Sequence, residues 1–145
     1  EEKLTDYYLV SDEVLKTLAS QPTPQGIIAV AEMPQEEKED YAGAWLLLDN
    51  VQDPGNVGTM IRTADAAGFT GVILGKGSAD LYNPKTLRST QGSLYHLSVM
   101  GNEGQGMSAE LLALTDQNLY IPIKGQAESL NVAIAAGVLM FHLLK

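Results

Sequence analysis

The feature that most limits what this chain can become is a series of short, unbroken apolar runs set between stretches of helical period. "GIIAVAEM" (26–33), "AWLLLDN" (44–50), "GVILG" (71–75), "LYHLSV" (94–99) and "LYIPI" (119–123) are continuous blocks. A strand with one wet face alternates apolar and polar residues. A continuous run is covered on both faces, as in a parallel sheet whose crossovers are helices. Between the runs, Val57, Met60, Ile61, Ala64 and Ala67 recur at spacings of three and four. That spacing predicts a helix over Gly55–Ala67, with Asn56 as N-cap and Gly68 as its stop. "PKTLRSTQGS" reads as a short helix, "SAELLALTDQ" as another, and "SLNVAIAAGVLMFHLL" as the last. The expected fold is α/β, a parallel sheet covered by helices.

The first 40 residues differ in character. Residues 8–20 read as a short strand and a helix capped by Ser11, "QPTPQ" breaks the chain, and "PQEEKEDYAG" (34–43) is a Pro-led acidic linker. We therefore divide the chain into a partial N-terminal domain with its linker, 1–40, and a main domain, 41–145. The first part holds ten acidic and three basic residues and the second eight and six, giving the net charge of −9. That acidity argues against nonspecific nucleic-acid binding, which needs Lys and Arg on phosphates. A local basic site remains open, because Arg62, Lys85 and Arg88 fall in one stretch.

With no cysteine, disulfides and thiolate metal sites are excluded, and His96 and His142 are too far apart in sequence to suggest zinc. No apolar run reaches the roughly 18–20 residues of a membrane span. "EEKLTDYY" lacks the basic-then-apolar pattern of a signal peptide, so a cytoplasmic protein without membrane or metal is expected.

Ligands of open α/β sheets bind at the carboxyl ends of strands. Three loops there are rich in small polar residues. "DNVQDPGNVG" leads into the helix that carries Arg62, on a side shared with Thr59 and Ala66; on the pattern alone Arg62 is a working residue or a solvated one. "GNEGQGMS" (101–108) is either a tight turn or a close approach to a ligand. It is neither a Walker loop nor G-x-G-x-x-G, and Glu103 would repel a pyrophosphate. "GQAESLNV" opens a helix that is apolar on every side, which predicts complete burial, most economically in a homodimer. Ser129 there is an N-cap or a ligand contact.

Taken in order, "LDNVQDPGNVGTMIRTADAAGF", "GNEGQGMS" and "IPIKGQAESLNVAIAAGVL" resemble the three signature motifs of the SpoU-type, TrmH-like RNA 2′-O-ribose methyltransferases of the SPOUT superfamily. The resemblance covers residues 46–144, and the segment 7–33 resembles the end of the small RNA-substrate-binding domain of that family. It implies a C-terminal trefoil knot, S-adenosylmethionine bound in it, a dimer, and an RNA substrate, ribosomal RNA in preference to transfer RNA. Carried over, the cofactor meets Gly101, Ile121 and Leu130, with Asn102, Gly104 and Pro122 beside them. Asn56, Arg62, Glu103, Ser129 and Asn131 are the catalytic positions. Arg62, desolvated by a partner subunit, would stabilise the alkoxide forming on the ribose and hold the adjacent phosphate. A guanidinium resists deprotonation, so electrostatics suits it better than general-base work. Ser129 and Asn131 would hold the ribose and order the loop.

There is one departure. The family sets a further helix and strand between the "GSLYHL" strand and the glycine turn, whereas here "HLSVM" runs straight into "GNEG". Neighbouring parallel strands need a crossover of about a dozen residues. An omitted segment would show as a chain break near residue 100; an unbroken chain would weigh toward an inactive RNA-binding dimer of the same fold. A different nucleotide-binding α/β enzyme, such as a nicotinamide-dependent oxidoreductase, is the other alternative.

Overall fold

The computed structural model describes residues 7–32, 41–101 and 119–144. The chain divides into two compact units, Glu1–Glu37 and Lys38–Lys145.

In the first unit the sequence makes one helix, α1 (Asp12–Leu18). Ser11 caps it, its hydroxyl oxygen accepting from the Val14 N–H at 3.4 Å. None of its residues is buried. The strands expected at 8–10 and 26–33 do not form among the described residues. An apolar run becomes a strand only when another strand completes its ladder; without one, Val30 is 97% exposed.

In the second unit, β1 (Trp45–Leu48), β2 (Gly71–Leu74) and β3 (Ser98–Gly101) form a parallel sheet in that order. The register sets Trp45 opposite Gly71, and Gly71 opposite Ser98. Helix α2 (Pro54–Ala67) crosses from β1 to β2, and α3 (Pro84–Thr90) lies in the crossover from β2 to β3. The apolar stripe read from the sequence is the buried face of α2. Val57, Met60, Ile61 and Ala64 form one core with Leu48, Val72, Leu74, Leu81 and Leu97.

Two helix signals act as expected, and one moves. Gly68 stops α2 in the left-handed conformation at φ 84°. The N-cap is Asp53, not Asn56. Pro54 is already pre-set for a helix and has no N–H to lose, so it takes the first helical position and puts the cap on the residue before it. Asn56 then lies inside the first turn. The glycine between Val57 and Thr59 has a packing reason: a Cβ on Gly58 would stand 2.5 Å from both the Thr86 carbonyl oxygen and the Ser89 Cβ. The helices α2 and α3 cross there.

Other expectations change near the ends. Gln91 and Gly92, at φ 53° and 90°, turn the chain into a 3-10 segment over Ser93–Tyr95, so the third strand starts only at Ser98. It continues unbroken through residue 100 to Gly101, which pairs with Leu74 instead of opening a turn. "LYIPI" is not a strand; none of the described strands pairs with it, and Pro122 has no N–H to give a ladder. Helix α4 (Val132–Leu143) is capped by Asn131 rather than Ser129. Of its twelve residues only Ala133 and Met140 are buried within the single chain. The helix expected over 108–117 lies outside the described residues.

Candidate functional site

The site begins with the loop after β1. Asn50 turns there at φ 54°. The Val51 N–H donates to the Ser78 hydroxyl at 3.1 Å, and that hydroxyl donates to the Leu48 carbonyl, also at 3.1 Å. The Ala79 N–H donates back to the Val51 carbonyl at 2.8 Å. The loop is thereby lashed to the loop after β2, and it delivers Asp53 to the carboxyl edge of the sheet.

Both Asp53 oxygens are engaged. Oδ1 accepts from the Asn56 N–H at 2.8 Å, and Oδ2 accepts from Lys85 Nζ at 2.8 Å. The Lys85 hydrogen bond, and then the Asn56 N–H, hold this carboxyl below the usual carboxylate range. Asp53 was not among the site residues expected from the sequence, and Lys85 entered only as part of a basic stretch with Arg62 and Arg88. The "DPGN" turn and Pro54 at the helix start could have marked Asp53 as the cap. Nothing local marks Lys85, which is 32 positions away.

The N-termini of α2 and α4 meet here. Asn131 Nδ2 donates to Asn56 Oδ1 at 3.1 Å across 75 positions of chain. Asn131 Oδ1 accepts from the Ala133 N–H at 2.9 Å and the Ile134 N–H at 3.4 Å. One amide side chain therefore caps α4 and ties it to α2. Lower on α2, Gly137 of α4 lies against Thr63.

Arg62 is exposed on the same side of α2 as Thr59 and Ala66, six residues or about 9 Å along the axis from Asn56. It has no hydrogen-bond or ion-pair partner among the described residues, and neither has Ser129, which is also exposed. Of the cofactor positions, Ile121 and Pro122 line an apolar groove of about 410 Å³ with Tyr120, Val138, Leu139 and Phe141. Leu130 is 39% exposed and does not line it. Gly101 ends β3. Asn102, Glu103 and Gly104 lie outside the described residues. The structure thus brings Asn56 and Asn131 into contact and leaves Arg62 and Ser129 free of described partners.

Comparison with known proteins adds to this geometry. Residues 43–100 and 96–141 match the SpoU rRNA Methylase family, and residues 1–37 match the RNA 2'-O ribose methyltransferase substrate-binding family. The chain is 44% identical to the 23S rRNA (guanosine(2553)-2'-O)-methyltransferase RlmP of Bacillus subtilis, over 94% of its own length and 71% of that protein's. It is similar to the AdoMet-bound rRNA methyltransferase of Sinorhizobium meliloti, with a TM-score of 0.69 at 27% identity over 90% of this chain and 68% of that one. The SpoU methyltransferase AviRb of Streptomyces viridochromogenes in complex with AdoMet gives a TM-score of 0.65 at 27% identity, over 78% and 65%.

The two stretches that match the SpoU family overlap at 96–100, where β3 begins. The Bacillus comparison runs over 178 positions, while 94% of 145 residues is about 136. About 42 of its positions therefore have no counterpart in this chain.

Proposed function

The chain belongs to the SpoU rRNA methylase family, and from that premise we propose that it methylates a ribose 2′-hydroxyl of RNA with S-adenosylmethionine, ribosomal RNA in preference to transfer RNA. The observation that carries this reading is the 3.1 Å hydrogen bond between Asn56 of the first motif and Asn131 of the third. It joins two motifs far apart in sequence at one edge of the sheet.

Ile121 and Pro122 suit the adenosyl end of the cofactor. They offer an apolar wall, and their main chain makes no hydrogen bond to other described residues, so it is open to a base edge. Gly101 and Leu130, with Asn102, Gly104 and Pro122, complete the cofactor set in this reading. S-adenosylmethionine supplies an electrophilic methyl group on a sulfonium. The chain supplies position and charge. Arg62, with no partner among the described residues, neutralises the alkoxide that forms on the ribose and holds the neighbouring phosphate. Ser129 and Asn131 orient the sugar, and Asn56 holds Asn131. Glu103 is the remaining catalytic position in this reading.

The finer parts of the reading are a homodimer, a knotted C-terminus, no metal, a cytoplasmic location, an N-terminal RNA-binding part at 1–40 and a catalytic part at 41–145. The exposed apolar surface of α4, including Ile134, Val138 and Phe141, supports the dimer. The match at 1–37 supports the RNA-binding part. The unmatched positions support a helix–strand unit that relatives carry near residue 100. They also favour a second reading, an RNA-binding dimer of this fold that transfers no methyl group.

Ribose-methylation mapping of ribosomal RNA from cells with and without the gene separates the two readings. One site that disappears with the gene is the expected result; an unchanged map sinks the enzyme. Arg62→Ala is expected to lower methyl transfer by about 10²–10³-fold while calorimetric affinity for S-adenosylmethionine stays the same. Undiminished turnover would remove Arg62 from its role.

A further inference from the structure

We infer that Lys85 and Asp53 are a positioning pair for the reaction proposed above, acting through Asn56 and Asn131; the inference rests on that reading for its catalytic part. Three observations converge. Lys85 Nζ sits 2.8 Å from Asp53 Oδ2, with the two side chains 58% and 47% exposed. An ion pair so open to water adds little stability, so its consequence is geometric. The other Asp53 oxygen holds the Asn56 N–H at 2.8 Å, which makes the aspartate's orientation the orientation of the first turn of α2. Finally, the Lys85 stem lies on that turn: a Cβ on Gly55 would be 3.2 Å from Lys85 Cε and 2.9 Å from Asp53 Oδ1. The ammonium and its carbon chain thus fix one residue and cover the next.

From there the order passes on. Asn56 Oδ1 receives the Asn131 amide at 3.1 Å, and Asn131 Oδ1 receives the Ala133 and Ile134 N–H groups. Five hydrogen bonds, each with a side-chain partner, run from α3, through the cap of α2, to the cap of α4 and the segment that carries Ser129. Neither Lys85 nor Asp53 need touch the ribose. Releasing the ammonium lets Asp53 rotate, frees the first turn of α2, and loosens the hold on Asn131.

The test uses the whole chain with unmethylated 23S ribosomal RNA transcribed in vitro. Lys85→Met keeps the stem and removes the charge; Lys85→Arg keeps a donor for Asp53. Lys85→Met is expected to lower kcat about tenfold, the loss that a small misplacement of reacting groups brings, with KM for RNA nearly unchanged. Lys85→Arg is expected to restore most of it. Hydrogen exchange is the second readout. The Ala133 and Ile134 amides should exchange several-fold faster in Lys85→Met, although the substitution is on another helix.

Turnover of Lys85→Met equal to wild type overturns the inference. So does a raised KM with intact kcat, which would make Lys85 a phosphate contact. Unchanged exchange at Ala133 and Ile134 overturns the relay whatever the kinetics. If the wild-type chain transfers no methyl group, the functional reading fails by itself, and the exchange measurement still decides whether Lys85 orders α4.

Discussion

Helices α2 and α4 share a packing contact and a hydrogen bond between their first turns, yet they treat apolar surface in opposite ways. Helix α2 is amphipathic, and Val57, Met60, Ile61 and Ala64 of its apolar stripe are buried in the core of its own chain, with Ala67 packed against it. Helix α4 is apolar throughout, but this chain buries only Ala133 and Met140 and leaves Ile134, Val138, Phe141 and Leu143 more than half exposed. The lesson is that apolar content and burial are separate quantities. For α2 the fold consumes the surface that the sequence provides. For α4 a surplus remains, and single apolar residues on a surface are ordinary while a continuous face of them points to a partner.

The same residue type occurs on both helices, which gives the widest test of that contrast. Ile61 is fully buried and Ile134 is 58% exposed. Ile61→Ala is expected to cost about 3 kcal/mol in urea unfolding, from lost transfer energy and the cavity left behind. Ile134→Ala should lie within about 0.5 kcal/mol at protein concentrations where single chains predominate. At high concentration the order sharpens the proposal further: if α4 is the dimer face, only Ile134→Ala weakens the concentration dependence of the unfolding midpoint. Equal costs for both substitutions would erase the distinction drawn here.

A glycine in each helix gives the next largest contrast. An alanine methyl at 58 would meet the Thr86 carbonyl at 2.5 Å, and backbone oxygen cannot step aside. Gly58→Ala is expected to destabilise by about 2 kcal/mol, even after the gain in helix propensity. At Gly137 the one neighbour among the described residues is the Thr63 methyl at 3.4 Å, on a side chain that can shift. Gly137→Ala should therefore be neutral or stabilising by about 0.5–1 kcal/mol. Thermal unfolding of the two variants side by side reads both signs.

These elements also mark how much the sequence could disclose. The stripe on α2, its glycine stop and the three strands at 44–50, 71–75 and 94–99 were legible because a 3.6 or continuous apolar pattern is a local property. The third strand shifted toward Gly101 because the left-handed turn at Gln91 and Gly92 leads into a 3-10 segment over Ser93–Tyr95, which takes up the start of that apolar run. The runs at 26–33 and 119–123 have the composition of strands, but a strand needs a partner in space, and composition carries no record of whether one is present. At the site, the polar residues Asn56 and Asn131 could be named from their motifs, and their contact is real. Their roles as non-cap and cap were misassigned, since both Asn56 and Ser129 are good caps and Pro54 and the run of the chain decide otherwise. The bond between Lys85 and Asp53 is a tertiary event with no sequence period behind it. The family resemblance supplied what periodicity could not, namely which loops belong together.

The smallest effect, and the one that separates the two helices by chemistry alone, is their response to acid. The cap of α2 is the carboxylate of Asp53, whose folded pKa is depressed by Lys85 and the Asn56 N–H. The same helix also carries Asp65, depressed by hydrogen bonds from Ser93 and then His96. A depressed carboxylate contributes stability that is present above its unfolded pKa of about 3.9 and is lost as pH falls through the lower folded value. The cap of α4 is the amide of Asn131, which does not titrate. Asp53→Asn keeps the acceptor for the Asn56 N–H and removes the charge, so wild type should exceed it in stability at pH 6, and the difference should shrink as pH falls below about 3.9 toward pH 3. Asn131→Ala should cost about 1 kcal/mol, the usual worth of an N-cap, and by the same amount at both pH values. Urea midpoints of the three chains between pH 6 and pH 3 make the comparison. A pH-independent deficit in Asp53→Asn would mean that its carboxylate charge does not hold α2, and that the two helix starts are secured in the same way.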